Sequence, residues 1–234
     1  AGELGLLGIS VPSEYGGMGM PFNTSVLICD KISGANGSFS TAFGAHTGIG
    51  TLPILLYGDD TQRKKYLPKL ATGEWMGCYC LTEPGAGSDA NSGKTKAVLT
   101  KDGKHYLITG QKMWISNAGF ADVFIVFARI EDDKNITGFI LEKGMEGITM
   151  GEEEYKLGLN SSSTRQVFFN DVKVPVESLL GGRGNGFKIA MNALNVGRIK
   201  LSAAVLDACR RVIELSTTYA NERVQFGVPI AKFG

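Results

Sequence analysis

The stretch Cys78–Gly93, CYCLTEPGAGSDANSG, passes from an apolar run into Thr82, a carboxylate, a Pro-Gly turn and then Ser88-Asp89, with little to bury. Gly85 and Gly87 allow a backbone with positive φ and a close approach to a ligand, so that successive N–H groups can converge on phosphate oxygens, with the Ser88 hydroxyl as a further donor. Taken alone, Pro84-Gly85 reads equally well as an ordinary turn. The stretch is neither a G-x-G-x-x-G fingerprint in a βαβ unit nor a G-x-x-x-x-G-K-[ST] loop, which argues against a nicotinamide Rossmann site and a P-loop. A second set lies in GQKMWISNAG, where strand alternation places Trp114 and Ser116 on one face and Ile115 on the other. An indole beside a hydroxyl suits a planar heteroaromatic ring, the one stacking and the other bonding an edge nitrogen. An isolated pair of this kind also fits a core tryptophan near a strand end. Arg223, in ERVQFG, is by itself a solvated helix charge.

The elements that must position these residues change in character along the chain. Residues 1–76 read as loops and helices: NTSVLICDKISGA spaces its apolar residues helically, and DDTQRKKYLPKL offers Asp60 as an N-cap with Leu67 and Leu70 on one face. The period becomes two within residues 77–182, in TKAVLT, KHYLITG, QKMWIS, DVFIVFARI, ITGFILEKG and RQVFFNDVKVP, separated by turns such as Lys101-Asp102-Gly103. That pattern predicts a small barrel or sandwich. Residues 183–234 read as one long helix, from Phe187 through Tyr219, that is cut off. The fold class is α+β: a helical N-terminal bundle part, a central small β-barrel domain and the start of a C-terminal helical bundle.

At 234 residues with 43% hydrophobic content the chain can bury a sizeable core. Its 24 basic and 23 acidic residues set up no net field for nucleic acid or an anionic membrane, so any anionic ligand must be met by local groups. Cys29, Cys78, Cys80 and Cys209 form no zinc, disulfide-scaffold or redox pattern, and His46 and His105 lack ligand partners at suitable spacing, which predicts structural histidines and no metal. The cysteine usage fits a reducing cytoplasm or an organelle matrix. No run reaches the ~20 apolar residues of a bilayer span, and nothing marks the chain for export. It opens without Met and stops inside QFGVPIAKFG, which predicts a piece of a longer protein.

YCLTEPGAGSD, GQKMWISNAGFAD, VFFNDVKVP, GFKIAMNALNVGR and ERVQFG resemble, in this order, the signature segments of the flavin-dependent acyl-CoA dehydrogenases, and ELGLLGISVPSEYGGMG and TQRKKYLPKLATGE are similar to that family's helical N-terminal part. GAHTGIG, ITGFILEKGMEGITM and LNVGR look closest to the very-long-chain branch. The resemblance implies FAD held between the β domain and the second bundle of a homodimer or homotetramer. It implies that Tyr79, Leu81 and Thr82 meet the flavin, Gly87 and Ser88 the pyrophosphate region and neighbouring acyl-CoA, Trp114 the ring system, Ile115 a backbone contact, and Ser116 the edge near N5. Arg223 and Gln225 would reach the FAD of a partner subunit, and Asn195 to Arg198 would approach the acyl-CoA, with Arg198 best suited to its anionic groups.

The implied reaction takes a proton from the α-carbon and a hydride from the β-carbon of an acyl-CoA thioester, giving a trans-2-enoyl-CoA, with an electron-transfer flavoprotein as acceptor. A carboxylate is the expected base, raised by burial. One group of the family carries it at the position of Gly197; the other, including the very-long-chain branch, carries it in a segment that would follow Gly234. Glu214 and Glu222 match neither place and read as solubilising helix charges, and EEEY at 152–155 reads as a solvated turn. The same scaffold supports acyl-CoA oxidases and flavin monooxygenases, and a catalytically silent FAD- or CoA-binding module is the alternative outside enzymes.

Overall fold

The structure, a computed structural model, describes residues Ala1 to Gly234. Four helices open it: α1 (Phe22–Ala35), α2 (Gly37–Gly44), α3 (Leu52–Tyr57) and α4 (Asp60–Thr72), with a π-helical segment at Ala45–Gly50 between α2 and α3. The N-cap of α4 is Asp59 rather than Asp60: its carboxylate accepts from Gln62 N at 2.8 Å while the Gln62 side chain accepts from Asp59 N, a reciprocal capping box that needs its glutamine three residues after the cap. Strands follow as β1 (Gly77–Cys80), β2 (Lys96–Leu99), β3 (His105–Ser116), β4 (Val123–Ile130), β5 (Thr137–Glu142), β6 (Ile148–Glu153), β7 (Thr164–Pro175) and β8 (Leu179–Leu180).

The sheet runs β6-β7-β3-β2-β4-β5-β8 with β1 parallel to β4, and it does not close. This corrects the expected barrel. The edges differ in kind: β6 ends one side, while β8, at the other, is two residues long and pairs only with β5. β4 is the hinge of the arrangement, taking β1 along Val123–Val126 and β2 only at Arg129 and Ile130. Both its faces are covered. Val123, Ile125 and Phe127 enter one core with Tyr79, Leu81 and the helices, whereas Phe124, Val126, Ala128 and Ile130 enter a second core inside the curled sheet. A strand covered on both sides thus reads as a continuous apolar run, VFIVFA over 123–128, with each fully buried large side chain contributing roughly 1.5–3 kcal/mol.

The expected single long helix is two: α5 (Gly186–Ala203) and α6 (Leu206–Glu222), followed by a hairpin of β9 (Val224–Gln225) and β10 (Val228–Pro229). The break at Ala204-Val205 has no proline or glycine to announce it. It lets α6 lie along α1, where Arg210 bridges both carboxylate oxygens of Asp30 at 2.8 and 2.7 Å and Asp207 pairs with Lys31 at 3.1 Å. No helix of the chain is long and apolar enough to cross a membrane.

Candidate functional site

A cleft of about 280 Å³ opens where β1, the loop after it, the end of β3 and α5 meet. Its walls include Tyr79, Leu81, Thr82, Gly87, Ser88, Trp114, Ile115, Ser116 and Arg198. The structure therefore brings nine of the expected residues to one place. Asn195 is not on the wall but sits beneath Arg198, its side-chain oxygen accepting from the guanidinium at 2.6 Å. Arg223 and Gln225 are exposed, on the α6 end and the β9 strand, away from the cleft.

Each wall has a local cause. Tyr79 donates its hydroxyl to Ala190 O at 3.2 Å and packs edge-on against Phe127, tying β1 to α5 across the cleft floor; burial raises its pKa far above the tyrosine range. Simple alternation does not place Trp114. The β3–β7 register shifts between Lys112, opposite Val167, and Ile115, opposite Arg165, so one extra residue sits on β3. Trp114 occupies that bulge with φ +57°, a left-handed conformation unusual for an aromatic residue, and stays 61% exposed. Such a backbone costs on the order of 1–3 kcal/mol and persists where surroundings enforce it. It swings the indole out so that Trp114, Ile115 and Ser116 all reach the cleft.

The glycines work differently from expectation. Neither Gly85 nor Gly87 has positive φ, and a Cβ on either would meet nothing within 4 Å. At Gly87 that open space belongs to the cleft, so the residue provides room rather than a turn. The turn is closed by Glu83 N to Ala86 O and Ala86 N to Glu83 O, both 3.1 Å.

Sequence reasoning missed Lys112. It is 1% exposed and donates to Glu83 Oε1 at 2.7 Å and Leu81 O at 3.0 Å. Burial opposes the Glu83 charge, but the Lys112 ammonium and the N–H groups of Lys94 and Thr95 hold its pKa below the usual carboxylate range. Burial pulls Lys112 below the ordinary lysine range, with Glu83 opposing. The only sequence signal was a lysine in step with buried strand positions, and surface lysines are far commoner.

A second cavity of about 300 Å³ adjoins the first through Ile49, Ser116, Leu194 and Arg198, and reaches Gly197, Leu201 and the buried Lys200 beside Cys29. Neither cavity has an aspartate or glutamate on its walls. Glu214 and Glu222 are exposed on α6. The EEEY segment is more than a solvated turn: Glu153 ends β6, pairs with Arg165 at 2.7 Å and accepts from Thr164 N. His46 is structural, as expected, and no cluster of ligating side chains suits a metal. The four cysteines are free.

Three models of one family match almost the whole chain: the acyl-CoA dehydrogenase N-terminal domain over residues 1–74, its middle domain over 78–172 and its C-terminal domain over 184–234. A probable acyl-CoA dehydrogenase of Bacillus subtilis is 54% identical over 233 residues, covering 100% of this chain and 39% of that protein. The human mitochondrial very long-chain specific acyl-CoA dehydrogenase is 45% identical, covering 99% of this chain and 37% of that protein. The crystal structure of an acyl-CoA dehydrogenase complexed with FAD from Bacillus anthracis superposes with a TM-score of 0.96 at 51% identity, over 100% of this chain and 40% of that one. The chain thus spans about two fifths of the length of these relatives.

Proposed function

The chain belongs to the acyl-CoA dehydrogenase family, and from that premise we propose that its cleft holds FAD and that the protein oxidises acyl-CoA thioesters to trans-2-enoyl-CoA. The observation that carries this reading is the convergence of Thr82, Ser88, Trp114, Ser116 and Arg198 on one cleft. The donor set fits the cofactor: an exposed indole face for a ring system, hydroxyls for ring edges and phosphate oxygens, and an open position at Gly87 that a side chain would fill. When bound, FAD supplies the acceptor for the hydride leaving the β-carbon.

The chain's own residues do the rest. Trp114 covers the ring system, Ile115 and Leu81 exclude water, and Ser116 and Thr82 orient the ring edge. Ser88 and Arg198 meet anionic oxygens, the arginine held in aim by Asn195. The second cavity takes the acyl chain, because Leu194, Leu201 and Ile49 offer it apolar surface continuous with the cleft. The α-proton needs a carboxylate base, and no wall residue of either cavity is one. A homo-oligomer in which Arg223 and Gln225 reach a neighbouring cofactor, an electron-transfer flavoprotein as acceptor, a preference for very long chains, and a cytoplasmic or matrix location belong to the same proposal. Family resemblance supports them.

The test is the absorption spectrum of protein expressed from the whole reading frame, titrated with saturated acyl-CoA thioesters of graded length. A flavin band bleached anaerobically by some lengths supports the reading. A colourless protein that takes up no FAD overturns it. Rapid reoxidation of the bleached flavin by dissolved oxygen would instead favour an oxidase.

A further inference from the structure

Residues 83–95 leave β1 and return to β2 as a compact loop whose two ends are held by one side chain. Glu83 accepts from Lys94 N at 2.6 Å and from Thr95 N at 3.1 Å, while its backbone closes the Glu83–Ala86 turn. A Cβ at Gly93 would lie 2.8 Å from Glu83 Oε1, so this position is kept bare for the clamp to close. Beneath it Lys112 bonds Glu83 Oε1 and Leu81 O, and the next residue along, Met113, donates its N–H to Thr82 O at 2.9 Å. The bulge that presents Trp114 begins at Lys112. One buried pair therefore joins the loop bearing Gly87 and Ser88 to the strand bearing Trp114 and Ser116, although neither partner lines the cleft. Compact loops with adjoining ends are common carriers of binding residues.

We propose that Glu83 and Lys112 are the positioning residues of this site: their contact fixes the 83–95 loop against the Trp114 bulge, so that both halves of the cleft are formed before ligand arrives. The proposal rests on the reading of the cleft as an FAD site, and its consequence is that the pair acts on ligand affinity without touching the ligand. A pair serving only the core would affect stability and leave the cleft unchanged.

The experiment uses the 234-residue chain in a Trp75→Phe background, which leaves Trp114 as the single tryptophan. Lys112→Met leaves a buried carboxylate alone, so the double variant Glu83→Gln/Lys112→Met, neutral and of similar volume, accompanies it. Glu142→Ala serves as the control, since it removes the acceptor at the end of β5 that Lys65 and Tyr66 of α4 bond, while Glu142 is not on the cleft wall. Measurements are FAD dissociation constant, melting temperature, and steady-state anisotropy with acrylamide quenching of Trp114 in the ligand-free protein. The double variant is expected to bind FAD at least tenfold more weakly and to show a more mobile, more readily quenched Trp114, while the control matches the parent in both despite a lower melting temperature. Parental FAD affinity and parental Trp114 signals in the double variant would overturn the proposal, as would an equal affinity loss in the control. Should the parent itself take up no FAD, the Trp114 signals of the ligand-free variants decide the positioning role alone, and the cofactor reading rests on the titration of protein from the whole reading frame.

Discussion

At Trp114 the site's demands conflict with the residue's own backbone preference, at Gly87 they leave space beside a bare backbone, and each makes a prediction. The left-handed backbone of Trp114 is worth its cost only if the exposed indole has something to cover. Trp114→Ala should therefore weaken FAD binding by about tenfold or more while leaving the fold intact, since base or ring stacking is worth roughly 1–3 kcal/mol; unchanged affinity and flavin spectrum would mean the indole only packs. A Cβ at Gly87 meets no protein atom within 4 Å, so Gly87→Val should leave the melting temperature near that of the parent, yet its branches would occupy the cleft and favour apo-protein. Equal FAD content in variant and parent would remove Gly87 from the site. His46 carries a different argument. Its Nε2 donates to Leu70 O at 2.9 Å and its Nδ1 accepts from Gly77 N at 3.0 Å, so the buried ring is held neutral in one tautomer, and burial lowers its pKa. The unfolded chain then takes up the proton first, near the ordinary value of about 6.5, and stability falls as pH drops through that region. Thermal melts at pH 7.5 and 5.5 should show this loss, and His46→Gln should shrink it; an identical pH dependence in the variant would assign the loss to other groups.

The elements differ in how firmly they are held. β4 is covered on both faces, whereas α6 buries no residue and exposes Val212, Ile213, Leu215 and Tyr219. α6 is fastened to α1 by the Arg210–Asp30 pair, whose guanidinium is half-exposed and so open to screening by salt, together with the Lys31–Asp207 pair. Amide exchange in α6 should be much faster than in β4, and Arg210→Ala should speed it several-fold more without altering β4; matched exchange in the two elements would show that the contact to α1 is not what holds the helix. The same contrast explains what could be read from sequence. Period-two runs and helical spacing located the elements because each has one or two consistently buried faces. The break at Ala204-Val205 was hidden because no local breaker marks it, and the partners that meet α6 beyond it, Asp30 for Arg210 and Lys31 for Asp207, lie some 180 residues earlier in the chain. The open sheet was hidden because strand pattern fixes which residues face inward, not whether β6 finds β8. Motif residues around Thr82, Ser88 and Ser116 were legible by type, while the bulge that re-aims Trp114 depends on the register of β7 and leaves no mark on β3 alone.

For the molecule as a whole, the proposed reaction turns on where a proton from the acyl α-carbon can go. Two joined cavities offer an indole, hydroxyls, two cations and apolar surface, but no carboxylate lines either. A positioned general base contributes typically 10²–10⁴-fold in rate, so the 234-residue chain supplied with FAD should not bleach on anaerobic mixing with any saturated acyl-CoA. Gly197 shows how the deficit is repaired. It lines the second cavity beside Arg198, and a Cβ there would meet only Ile49 Cγ2, at an ordinary 3.8 Å. A Cβ fits, and replacing a helix-interior glycine by a better helix former favours α5 by less than the roughly 0.8–1 kcal/mol that separates glycine from alanine. By resemblance, this is where one group of the family carries its base. A glutamate placed there would lie among Ile49, Leu194 and Leu201, where desolvation raises a carboxyl pKa toward the working range. Gly197→Glu should therefore bleach the flavin with acyl-CoA where the parent and Gly197→Gln do not, all three binding FAD alike. Bleaching by the parent would instead prove a base among the existing residues, with Glu214 and Glu222 the first to replace. A Gly197→Glu protein that holds FAD yet stays oxidised would show that the second cavity does not receive the acyl chain.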